Sequence, residues 1–95
     1  MAVNTLLTEA RADTLGATMT TGDTLAVYAL TLKGTLDGAL VSILVDIDKS
    51  GVWINAGSLT YESPTKLIML PSKTFCTAKV YGGGDATSVT VVIAS

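Results

Sequence analysis

The chain has 95 residues, which bounds it to one small domain. Hydrophobic residues make up 48% and charged residues 15%, and the mean hydropathy is +0.53. A small domain should need proportionally more polar surface, so this composition predicts burial against other subunits. The net charge is −2, and lysines stand singly at Lys33, Lys49, Lys66, Lys73 and Lys79, a pattern that speaks against nucleic-acid binding and against an anionic membrane.

There is no histidine and one cysteine, Cys76. This excludes an internal disulfide, the usual transition-metal sites within one chain, and Ser-His or Cys-His nucleophiles. Ala10-Arg11-Ala12 resembles a cleavage triplet, but Glu9 and a two-leucine core do not make a signal peptide. No stretch approaches the roughly 20 apolar residues that cross a bilayer. The expectation is a protein made in a reducing cytoplasm.

Taken in order, residues 1–22 read as an N-terminal arm plus a first strand, and residues 23–95 as a β-sandwich. Val3 to Ala12 fits a short helix with Leu6, Leu7 and Ala10 on one face, or an extended arm packing on a neighbour. Leu15 to Thr20 reads as a strand, and Thr21-Gly22-Asp23 as a turn. Thr24 to Lys33 is the next strand, closed by Gly34-Thr35-Leu36-Asp37-Gly38 with its Asp-Gly turn signal.

Ala39 to Ile47 alternates cleanly. Val41, Ile43, Val45 and Ile47 share the face expected to enter the core, opposite Ser42, Asp46 and Asp48. Asp48-Lys49-Ser50-Gly51 is a hairpin turn into a strand from Val52 to Ala56, and a bulge is expected at Gly57-Ser58. Ser63-Pro64 marks a further turn. Lys66 to Leu70, Phe75 to Tyr81 and Thr87 to Ala94 complete the strands, separated by Pro71-Ser72 and Gly82-Gly83-Gly84-Asp85. Short strands at this spacing predict an all-β fold, an Ig-like antiparallel β-sandwich or alternatively a jelly-roll-like barrel, with an N-terminal arm.

Asp46-Ile47-Asp48-Lys49-Ser50-Gly51 matches the opening of a calcium loop, with candidate ligands Asp46, Asp48 and Ser50. The twelfth position, however, is Gly57 where a calcium loop needs a bidentate Glu, and no helix flanks it. The favoured reading is a hairpin turn with solvated carboxylates. Gly82-Gly83-Gly84 lacks the Gly-Lys-Ser/Thr ending of a phosphate loop. No carboxylate pair is distinguished as catalytic, and no cofactor is implied. Trp53, Phe75 and Cys76 are expected in the core, with Cys76 in register with Ala78 and Val80. Trp53, Tyr28, Tyr61 and Tyr81 are the alternative sugar-binding platform, the tyrosine hydroxyls being expected to reach water at strand ends.

The succession GTLDGA, alternating strand, DKSGVW, AGSLT, the Leu70-Pro71 turn, the Gly82–Gly84 turn and TSVTV resembles small bacteriophage virion structural proteins across Thr24 to Ala94. Leu36 stands where that pattern has an aromatic, the hairpin at Asp48–Gly51 is shortened, and Ser72-Lys73-Thr74-Phe75 replaces its AG-x-Y. The resemblance implies a non-enzymatic virion protein that binds copies of itself, as a homo-oligomer such as a trimer. It also implies binding to the major capsid protein or other virion proteins. Capsid decoration leads, with a tail or fibre adaptor or glycan-binding module as the alternative. Leu6, Leu7, Leu67, Met69, Val89 and Val92 are the candidate interface residues, from the arm and from strands apolar on both sides.

Overall fold

A computed structural model describes residues 3–94; residues 1 and 2 of the expected arm and residue 95 of the sandwich lie outside them. Eight strands form in the described residues: β1 (Val3–Ala10), β2 (Met19–Thr20), β3 (Ala26–Thr35), β4 (Leu40–Asp46), β5 (Ile54–Leu59), β6 (Thr65–Leu70), β7 (Phe75–Tyr81) and β8 (Ser88–Ala94). They make two four-stranded antiparallel sheets, A in the order β1-β8-β3-β6 and B in the order β2-β7-β4-β5. The chain is an all-β sandwich. β1 pairs with β8, β2 with β7, β3 with β6 and β4 with β5, so the strands pair symmetrically about the central β4–β5 hairpin. A long hairpin wrapped around a core in this way is a jelly roll, the second of the two expected arrangements and not the Ig strand order.

Residues 3–22, read as an arm with a first strand, contribute β1 to sheet A and β2 to sheet B. The helix alternative over Val3 to Ala12 is replaced by β1. Its two bulges explain why the sequence misleads. The register steps from Thr5 opposite Val92 to Leu7 opposite Val91, then from Leu7 to Ala10 opposite Val89, with Glu9 at φ 44°. Each bulge inserts extra residues and re-aims the side chains after it. Leu6, Leu7 and Ala10 all enter the core, though strict alternation would admit only one of the adjacent leucines. The expected strand at Leu15 to Thr20 shrinks to a bridge between Leu15 and Lys79 and the two residues of β2.

The core lies between the sheets, built from Leu30 and Leu32 of β3, Val41, Ile43 and Val45 of β4, Leu59, Leu70, Cys76, Ala78, Val80, and Val89, Val91 and Ile93 of β8. Three expected core residues stand elsewhere. Ile47 is 52% exposed, because β4 ends at Asp46 and the chain has already turned away. Phe75 lies opposite Asp46, which puts it on the face of sheet B away from the core. Trp53 precedes β5, half-buried and outside the core cluster. Leu6, Leu7 and Val89 are likewise corrected from interface to core, with 3%, 3% and 0% exposure. In β5 the bulge falls at Ala56, where the register passes from Ile43–Gly57 to Leu44–Asn55. Gly57 adopts φ 154° there and donates its amide to the Asn55 side chain at 2.9 Å.

Gly16 ties the two sheets together on one side. The Gly16 amide donates to the Ala78 carbonyl of sheet B at 2.8 Å, and the next amide, Ala17, donates to the Leu6 carbonyl of sheet A at 2.8 Å. Val80 donates to the Thr14 carbonyl at 2.8 Å, and the Thr77 hydroxyl to the Ala17 carbonyl at 2.8 Å. A Cβ on Gly16 would lie well inside contact distance of the Leu6 oxygen and 2.9 Å from the Ala78 oxygen. Only a glycine lets the three backbones approach this closely.

Gly16→Ala should therefore lower stability by about 2–3 kcal/mol, since backbone and not a flexible side chain must move; urea denaturation of the two proteins measures it. Burial pushes the Cys76 thiol up to about 11, so it stays a neutral thiol at pH 8 in the fold. A thiol reagent at pH 8 should leave the native protein unlabelled and modify one thiol per chain in denaturant.

Candidate interaction surface

At the β4–β5 turn, the carboxylates proposed as calcium ligands are engaged by backbone. Asp46 is buried, its Oδ1 accepts the Ser50 amide at 3.0 Å and its Oδ2 the Gly51 amide at 2.9 Å. Asp48 accepts the Ser50 amide at 3.2 Å. Hydrogen bonding from the Ser50 side chain and amide holds the exposed Asp48 carboxyl below the ordinary carboxylate value. Lys49 takes φ 56° at the tip, which this network supports. The arrangement is a side-chain-stabilised hairpin turn. Among the described residues, no three His, Cys, Asp or Glu side chains gather in a way that could hold a metal ion.

The opposite end of the sandwich is organised by two more aspartates. The Gly82 amide donates to Asp13 at 2.8 Å, and the Ala86 amide to the Asp37 carboxylate at 3.0 Å. The buried Thr87 hydroxyl donates to the Leu36 carbonyl at 3.1 Å. These bonds dock the glycine-rich β7–β8 turn onto the β3–β4 turn, which accounts for the glycines without a bound phosphate.

The aromatic residues do not converge on a platform. Tyr28 is buried in the core, and its hydroxyl accepts the Gly22 amide at 3.3 Å. The Tyr61 hydroxyl accepts the Leu36 amide. These two hydroxyls, expected to reach water, are bonded to backbone. Tyr81 pairs with Leu40 at the start of β4, while Trp53 stands beyond its other end. An open cleft of about 260 Å³ separates β1 and β8 from β2, lined by Asn4, Met19, Tyr28 and Ile93 among others. That is below the usual volume of a small-molecule site. No buried side-chain nitrogen or oxygen among the described residues lacks a partner.

The two broad faces of the sandwich differ sharply. On sheet B the outer surface carries charge, with the Lys79 ammonium 4.7 Å from the Tyr81 ring and the Lys49 ammonium 5.0 Å from the Phe75 ring. β4 is buried on both its faces from Val41 to Asp46. On sheet A the outer surface carries an apolar patch, with Lys33 exposed beyond it opposite Thr90. The candidate interface residues Leu67 and Met69 are 68% and 63% exposed there, and Val92 is half-buried beside them. Sequence reasoning missed their partners Val27 and Ala29 on β3, which the β3–β6 register places opposite Met69 and Leu67. The alternation of Val27 and Ala29 with Tyr28 and Leu30 carried that signal.

Asp46→Ala should cost about 1–3 kcal/mol, because two amides lose their acceptor, while Asp48→Ala should move the urea midpoint far less. Asp48's lowered folded value means that its contribution is present above the ordinary carboxylate range and is lost as pH falls through that lower value. Neither calcium nor a chelator should shift the melting midpoint. Comparison with protein-family models, with curated proteins and with solved structures finds no match to this chain.

Proposed function

We propose that this chain is a non-enzymatic structural subunit of a phage virion, a capsid decoration protein that associates with copies of itself and with the major capsid protein. The observation that carries this reading is the division of labour within the sandwich. Aspartate side chains hold the turns, while the outer face of sheet A leaves Leu67, Met69, Val27 and Val3 exposed together as an apolar patch. Single exposed apolar residues need no partner, but a contiguous apolar face of a small domain does. The jelly roll is also an architecture used by viral capsid and lectin domains, which supports the reading by analogy of fold. The separated aromatics do not favour the glycan-binding alternative.

The test is to express the tagged protein together with the head genes of its phage and purify particles on a density gradient. The reading predicts that the protein travels with the heads and appears as regular surface density on them by electron microscopy. Heads that form normally and carry none of it would overturn the assignment to the capsid.

A further inference from the structure

We propose that the outer face of sheet A is where a second copy of this chain packs, face against face, with Leu67 and Met69 near the centre of the contact; this deepens the self-association in the reading above and rests on it. The strand registers draw the surface row by row, since directly opposed residues share a face. One row crosses all four strands, from Leu67 to Ala29 to Ala94 to Val3. On one side of it lie Met69 and Val27, and on the other Thr65, Thr31, Val92 and Thr5. None of these residues is charged. Leu67, Met69, Val3 and Val27 are 68%, 63%, 59% and 50% exposed. The two alanines at the middle keep the surface low, as close packing of one sheet on another requires.

Three observations identify the occupant as another copy. The first is charge. The centre of this face, from Leu67 and Met69 to Val3 and Thr5, holds no acid or base, and Lys33 stands one row beyond Thr31, at its margin. Two copies laid centre to centre therefore oppose no like charges there, which suits an isologous contact. The second is size. The molecule measures 39 × 27 × 19 Å, so a broad face is at most on the order of 1,000 Å², the same scale as the roughly 800 Å² that each partner commonly gives to a stable interface. The third is the state of the neighbouring edge. β6 is an edge strand, and its Lys66 lies against Gly57 of β5: a Cβ there would come within 2.7 Å of the Lys66 Cε. A lysine turned across the edge, facing the bulged β5, discourages strand addition. The contact is therefore made by the face and not by the edge.

The experiment is light scattering of the purified full chain over a wide concentration series, for wild type, the Leu67→Glu/Met69→Glu double variant and Leu40→Glu. Leu40 is 63% exposed on sheet B and serves as the control. Circular dichroism and a melt establish that each variant is folded. Wild type should be oligomeric, the double variant monomeric, and Leu40→Glu unchanged from wild type. Should the acidic pair prevent folding, Leu67→Thr/Met69→Thr keeps β-forming residues and should weaken association by about tenfold or more. A folded double variant that associates as well as wild type overturns the surface and leaves self-association standing. A wild type that stays monomeric throughout overturns the second copy as occupant, while the particle experiment tests the capsid assignment separately.

Discussion

The sandwich depends on a close approach of three backbones at Gly16. Two sheets that pack face to face are held mainly by apolar burial, which is strong but does not fix their edges. Here consecutive amides reach in opposite directions, Gly16 to β7 of sheet B and Ala17 to β1 of sheet A. The Leu6 carbonyl at the outer edge of β1 and the Ala78 carbonyl of β7, beyond the reach of the short β2, are thereby satisfied. The bulges in β1 follow from the same need, because they bring Leu6 and Leu7 together into the core beside that junction.

The other side of the sandwich is closed more loosely, by the Lys66 side chain lying against the bulge of β5. The turns at the two ends are held by Asp46, Asp13 and Asp37. The outer face of sheet A keeps Leu67, Met69, Val27 and Val3 exposed. The composition is consistent with this: a mean hydropathy of +0.53 arises from a core packed with short aliphatic side chains and from a sheet face that also carries them.

Much of this was legible from the residues. The alternation over Val41 to Val45, the turns at Asp37-Gly38 and Asp48–Gly51, and the strands β6, β7 and β8 are local patterns, and local patterns survive folding. The misreadings share one cause. Ile47 was placed by strict alternation, Trp53 and Phe75 by side-chain size, and Leu6 and Leu7 on a helix face or a packing arm, and each stands where a bulge, a strand end or a pairing partner changes the outcome. β2 left almost no signature because it is held by backbone bonds to its neighbours and not by its own apolar pattern. The exposed face of sheet A was half visible. Leu67 and Met69 stood out in a short apolar strand, but their union with Val27, Ala29 and Val3 is a product of register between strands distant in sequence.

The central claim is that the junction at Gly16 holds the two sheets as one cooperative body. Native-state hydrogen exchange of the Gly16, Ala17 and Val80 amides tests it most directly. The account predicts that these three exchange only through global unfolding, with protection equal to that of the core amides of β4 and β8. Exchange of Gly16 and Ala17 through a local opening well below the global free energy, while β4 and β8 remain protected, would contradict it.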